Sequence, residues 1–102
     1  MYQDVAAFAD LPDRGGVVVV VEGQPVLLVR SQDQVFATAG LCSHEELPLE
    51  GGTLTGSTTW ECPHHGGALD LGTGRPVRMP VCASVETYPV RVEGGRVLVE
   101  ID

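Results

Sequence analysis

Two short motifs leave this chain little freedom: Cys42-Ser43-His44, and, after seventeen intervening residues, Cys62-Pro63-His64-His65. Each offers a thiolate and an imidazole on what should be a tight loop. Two thiolates and two imidazoles suit either a tetrahedral zinc ion or an iron–sulfur cluster with mixed ligation. Structural zinc modules usually pair like with like, a Cys-x-x-Cys knuckle gripping the metal through two sulfurs before two histidines complete the set. Here each loop supplies one Cys and one His. That suits a two-iron cluster with both sulfurs on one iron and both nitrogens on the other, with zinc as the alternative. The reading rests on four residues converging, because a lone Cys or His is more often structural.

The length of 102 residues fits one domain with a modest core. Thirteen glycines and seven prolines favour short strands with many turns over helices. Fourteen acids against six arginines, with no lysine, give a formal charge of −8. Such a charge repels nucleic-acid phosphates and suits an electropositive protein partner, although an acidic surface kept only for solubility fits it equally well. Three cysteines do not make a disulfide framework. With two assigned to the cluster, Cys82 is left single and reads as a small buried hydrophobe. Residues 1–16 have neither a basic n-region nor an apolar h-region, and no apolar run much exceeds Val17–Val21. Neither a signal peptide nor a membrane span is expected, and the expected location is the cytoplasm.

Along the chain, residues 2–9 read as a first strand. Val17–Glu22, β-branched throughout, reads as a strand buried on both faces. Gly23-Gln24-Pro25 is expected to turn the chain into Val26–Arg30, and Ser31–Gln34 to turn it again into Val35–Ala39, giving an antiparallel meander. Thr53-Leu54 is a short segment between glycines. Thr58–Glu61 is a strand delivering Cys62, with Trp60 assigned to the core. Ala68–Asp70 leads to the Gly72-Thr73-Gly74 turn, and Arg75–Val81 reads as an irregular loop. Thr87–Glu93 and Arg96–Asp102 alternate apolar and polar residues, joined by Gly94-Gly95 as a two-residue hairpin loop.

Cys42-x-His44 and Cys62-x-x-His65 together resemble the signature of the Rieske [2Fe–2S] family, in which two histidines replace two cysteines on one iron. The family pattern takes the second histidine, the one followed by glycine, so the resemblance implies Cys42, His44, Cys62 and His65 as ligands of one [2Fe–2S] cluster. His64 becomes an exposed loop residue. The likeness extends along most of the chain, including Pro80-Val81-x5-Thr87-Tyr88-Pro89-Val90. It implies an all-β fold: an antiparallel β-sandwich base and a small cluster-binding subdomain, about residues 40–81, built from the two ligand loops within a single domain, 1–102. Pro76, Met79 and Pro80 would form a third loop shielding the cluster.

Rieske proteins of respiratory and photosynthetic complexes carry one further cysteine in each loop. Leu47 and His64 stand at those positions here, which places the chain with the soluble ferredoxins. It is most similar to the ferredoxin components of bacterial aromatic-ring dioxygenase systems. The resemblance implies a monomeric electron carrier with no catalytic residues, passing one electron from a flavin-containing reductase to a terminal oxygenase. The histidine edge would be the electron exit, and Glu45, Glu46 and Glu50 could rim it. The alternative role is the small Rieske subunit of an assimilatory nitrite reductase. A structural zinc module is the third reading.

Overall fold

The short apolar runs fold into antiparallel strands and the Gly, Pro and Asp residues between them into turns. The computed structural model describes residues 2–41, 49–63, 67–78 and 85–101. β1 (Tyr2–Ala7) gives way to a single 3-10 turn over Phe8–Asp10, so it stops before the expected end at Ala9. β2 (Gly16–Val21), β3 (Gln24–Ser31) and β4 (Gln34–Ala39) form the expected meander. Its first turn is tighter than Gly23-Gln24-Pro25. Val21 pairs with Gln24, leaving Glu22 and Gly23 as the loop, with φ of 50° and 80°. Two positive-φ residues match the twist of the strands they join.

The first sheet brings the two ends of the chain together: β1, then β11 (Arg96–Glu100), then β10 (Val90–Glu93). Gly94-Gly95 joins β10 to β11 as expected, with φ of 57° and 77°. Arg96 grips Asp4 across this sheet, Nη2 to Oδ1 at 2.8 Å and Nε to Oδ2 at 2.9 Å. The continuous strand expected over Thr87–Glu93 is instead two strands in two sheets. β9 (Thr87–Tyr88) pairs with β4, and β10 pairs with β11. Pro89 lies between them, where its missing N–H makes a natural break in a ladder.

The second sheet has the order β2-β3-β4-β9. Between β4 and β9 the chain makes a third sheet from β5 (Thr53–Thr55), β6 (Thr59–Glu61), β7 (Ala68–Asp70) and β8 (Pro76–Arg78), in that order. β8 lies within the stretch expected to be irregular. It pairs Arg78 with Ala68 and Pro76 with Leu69 across a bulge, and a proline is tolerated at the first residue of an edge strand.

β3 is the wall common to two cores. Val26 and Leu28 face a cluster with Leu11, Val97, Val99 and Ile101, between the first two sheets. Leu27 and Val29 face the opposite way, toward Leu49, Leu54, Trp60, Cys62, Leu69, Leu71 and Val85 of the third sheet and its flanks. All four β3 residues have 0% exposure. The two-faced burial expected for Val17–Glu22 therefore belongs to β3. β2 is the edge strand of its sheet, and Val20 is 72% exposed. An unbroken apolar run marks either kind of strand; only pairing on both sides distinguishes them.

Candidate metal centre

Cys62 immediately follows β6 and is buried, 4% exposed, as a free thiol. It is the one expected ligand among the described residues. Cys42, His44 and His65 lie outside them, as do His64, Glu45, Glu46, Leu47, Met79, Pro80 and Cys82. What the structure gives is the seating of the segments that carry these residues.

Backbone hydrogen bonds close the stretches that contain segments 42–48, 64–66 and 79–84, the last of them with β8 inside it. The Leu49 N–H donates to the Gly40 carbonyl at 2.9 Å, the Cys62 N–H to Gly67 at 2.7 Å, and the Val85 N–H to Gly74 at 2.9 Å. Leu49, Cys62 and Val85 also belong to one buried cluster. The described residues that flank the three segments therefore meet over the same core. Pinning a loop at its base reduces the ordering left to its tip when it binds a group.

Trp60 welds two of these flanks together. It is 1% exposed, in the core as expected. Its indole N–H donates to the Leu49 carbonyl at 2.9 Å, tying the strand that delivers Cys62 to the end of the first segment. Trp60 and Cys62 are two residues apart, and both belong to the same buried cluster. This close approach requires Gly52, where a Cβ would stand 2.2 Å from the Glu61 carbonyl and 2.6 Å from the indole nitrogen.

The base of the third segment depends on Asp70, which the sequence reading used only as the entry to a turn. Its Oδ1 accepts the Gly72 N–H at 2.7 Å and the Thr73 N–H at 3.3 Å, while its carbonyl accepts Gly74 at 2.7 Å. Gly74 has φ of 76°, and a Cβ there would lie 2.1 Å from the Val85 carbonyl. The spacing Asp70-x-Gly72 is the signal that could have found this bracket, since Asp readily accepts from the backbone two residues on.

The cations are largely committed elsewhere. Arg14 donates to the carbonyls of Leu54 at 2.8 Å and Gly56 at 3.1 Å, latching the β5–β6 turn to the base of the molecule. Arg30 donates to Gln32 and Leu11 and lies 4.2 Å over the Phe8 ring. Arg91 pairs with Glu93 at 3.5 Å, and Arg96 with Asp4. Glu50, one of the expected rim acids, is exposed and accepts the Val18 N–H at 3.4 Å.

The chemistry of the donor set fits a mixed-ligand iron cluster. A buried, unpaired thiol sits among apolar residues, in one cluster with Leu49, the residue that follows the segment carrying Cys42 and His44 in sequence. Among the described residues no group of three or more His, Cys, Asp or Glu side chains could hold a metal, so they offer no rival site. A [2Fe–2S] group supplies a one-electron couple, tuned by hydrogen bonds and solvent access. The chain's own part would be to anchor the flanks of the motif segments, exclude water through the Leu49–Trp60–Leu69 core, and surround the Cys62 sulfur with a low-dielectric wall.

An all-β scaffold with the flanks of the motif segments gathered over one buried cysteine suits a small protein that carries a metal group. The chain belongs to the Rieske [2Fe–2S] domain family, which matches residues 1–89. It carries a Rieske-type cluster and is an electron carrier rather than an enzyme. It is 36% identical over 98 residues to the ferredoxin component of a naphthalene 1,2-dioxygenase system from Pseudomonas aeruginosa, covering 96% of this chain and 93% of that one. Among solved structures it is similar to the ferredoxin of carbazole 1,9a-dioxygenase from Nocardioides aromaticivorans IC177, with 35% identity, a TM-score of 0.91, and 97% and 96% of the two chains covered. A ferredoxin in a complex of reduced oxygenase and oxidised ferredoxin of carbazole 1,9a-dioxygenase matches with a TM-score of 0.87 and 33% identity, over 96% of this chain and 91% of that one. No helix among the described residues is long and apolar enough to cross a membrane.

Proposed function

We propose that this ferredoxin is the shuttle of a multicomponent oxygenase system that attacks aromatic compounds. It takes one electron from a flavin-containing reductase and gives it to a terminal oxygenase, working as a monomer in the cytoplasm. Cys42 and Cys62 bind one iron, His44 and His65 the other, within a cluster-binding subdomain of about residues 40–81 in a single domain spanning 1–102. The observation that carries this reading is the end-to-end likeness to ferredoxin components of dioxygenase systems, 36% over nearly the whole of both chains. The same likeness favours a free carrier over a subunit of nitrite reductase. The meeting of the segments' flanks over the core that holds Cys62 supports the ligand set.

The ligand set is tested by substituting each adjacent histidine in turn. His65→Ala abolishes the visible absorption and iron content, while His64→Ala retains both; loss in His64→Ala alone reverses the assignment. The shuttle role is tested by stopped-flow reduction with a flavin reductase across a range of salt. An acidic carrier docking through exposed charges is reduced more slowly as salt rises, because such charges are screened over about 10 Å at 0.1 M. A flat salt profile means that the −8 charge serves solubility alone.

A further inference from the structure

Pro25 occupies a place where sequence rules do not expect a proline, in β3, which pairs on both sides. Its carbonyl accepts the Gly40 N–H at 2.9 Å. In an antiparallel ladder two residues so paired return the bond, the N–H of one to the carbonyl of the other. Pro25 has no N–H to return. The Gly40 carbonyl is instead taken by the Leu49 N–H at 2.9 Å, the bond that closes the base of segment 42–48. The Leu49 carbonyl in turn accepts the Trp60 indole at 2.9 Å. Toward β2, Pro25 faces Val20, and its missing donor is not needed on that side because its carbonyl points to β4. The contact is close, since a Cβ on Gly40 would come within 3.0 Å of the Pro25 carbonyl carbon and 3.1 Å of its Cβ.

We propose that Pro25 is a positioning residue for the first ligand loop: by lacking an N–H it reserves the Gly40 carbonyl for Leu49 and so fixes where the loop bearing Cys42 and His44 starts and ends. The ladder between β3 and β4 stops at Pro25, and the hydrogen-bond relay Gly40 to Leu49 to Trp60 begins there. This rests on the reading that Cys42 and His44 are ligands. A residue with an N–H at position 25 competes for that carbonyl, loosens the Leu49 bond, and frees the first loop to release iron.

The test uses cluster-loaded protein carrying Pro25→Ala or Pro25→Val, with Pro12→Ala as the control for losing a proline elsewhere. Both Pro25 variants restore the N–H, and the valine also keeps strand propensity and bulk. Expected in both is amide hydrogen exchange at Leu49 faster by about three- to tenfold, the span set by the net worth of one hydrogen bond. Iron release to a strong chelator should quicken in parallel, with Pro12→Ala at the wild-type rate for both. Unchanged Leu49 exchange in both variants overturns the proposal. So does an effect confined to Pro25→Ala, which would assign it to the packing of the ring. Faster exchange with unchanged iron release overturns the positioning role, whereas an error in the ligand set shows instead as iron retained by His65→Ala. If neither Pro25 variant accumulates, Gly40→Ala crowds the same pair from the residue that follows β4, and wild-type Leu49 exchange there also overturns the proposal.

Discussion

The molecule contains two kinds of sheet. In the two-sheet base, strands of up to eight residues run in long ladders joined by two-residue loops such as Glu22-Gly23 and Gly94-Gly95. In the third sheet every strand has three residues. Ladders that short have little stability of their own. The third sheet is held instead from outside, by Leu27 and Val29 beneath it, by Trp60 on Leu49, and by Arg14 on the β5–β6 turn. The difference teaches that a region can be given over to its bound group if the rest of the chain supplies the rigid wall.

The largest test of this contrast is Cys62→Ser. Iron and visible absorption should fall to background. Amide exchange should then quicken throughout β5–β8 while Val26–Val29 keep their protection. Equal loss of protection in β3 would mean that the base too depends on the cluster.

A sharper cut uses neighbouring leucines of β3 that face opposite cores. Leu27→Ala and Leu28→Ala should each cost about 2–5 kcal/mol in denaturant unfolding, the usual range for a buried leucine. Chelator-driven iron release should quicken more in Leu27→Ala, which opens the core beneath the third sheet, than in Leu28→Ala, which opens the base. Equal release rates would erase the distinction between the two cores.

The smallest effect belongs to the Asp4–Arg96 clamp on the base. Hydrogen bonding from Arg96, opposed by slight desolvation and aided by its charge, holds the Asp4 carboxyl below its ordinary range. A lowered folded pKa stabilises the protein above the unfolded carboxylate's pKa, and that stability fades as pH falls through the folded value. Asp4→Asn should therefore flatten the acid limb of the stability–pH curve slightly and leave neutral-pH cluster content untouched. The pair is solvent-exposed, so the change is modest. Acid-induced loss of iron in Asp4→Asn matching the wild type would confirm that the clamp serves the base alone.

The same contrast separates what could be read from the sequence. The base strands were legible because their alternation, their valines and the Gly-Gly loop are local signals, and the Cys/His spacing was legible because metal chemistry admits few patterns. β8 was not, because Arg75-Pro76-Val77-Arg78 has no strand pattern, and only pairing with β7 makes it one. The break at Pro89 was hidden by alternation that runs straight through it, since each half pairs with a different sheet. The Trp60–Leu49 bond ends on a backbone carbonyl, which every residue carries, so nothing in the sequence marks Leu49 as the acceptor. Burial on two faces was given to the wrong valine-rich strand because composition does not say which strand has neighbours on both sides.

β3 offers its two cores nearly interchangeable side chains: Val26 and Leu28 on one face, Leu27 and Val29 on the other. Slipping by one residue exchanges the faces of a strand, and here the exchange would bury nothing polar among Val26–Val29. Hydrophobicity alone is therefore a poor judge of alignment in this strand. A chain misaligned by one would still bury its oily residues, but Pro25 would no longer oppose Gly40, and a residue with an N–H would face the carbonyl that Leu49 uses. Such a chain would have no seat for the ligand loops. With the proposed ligand set, uptake of iron should then favour molecules whose central strand is correctly aligned, and the colour of a preparation should count aligned chains rather than merely collapsed ones.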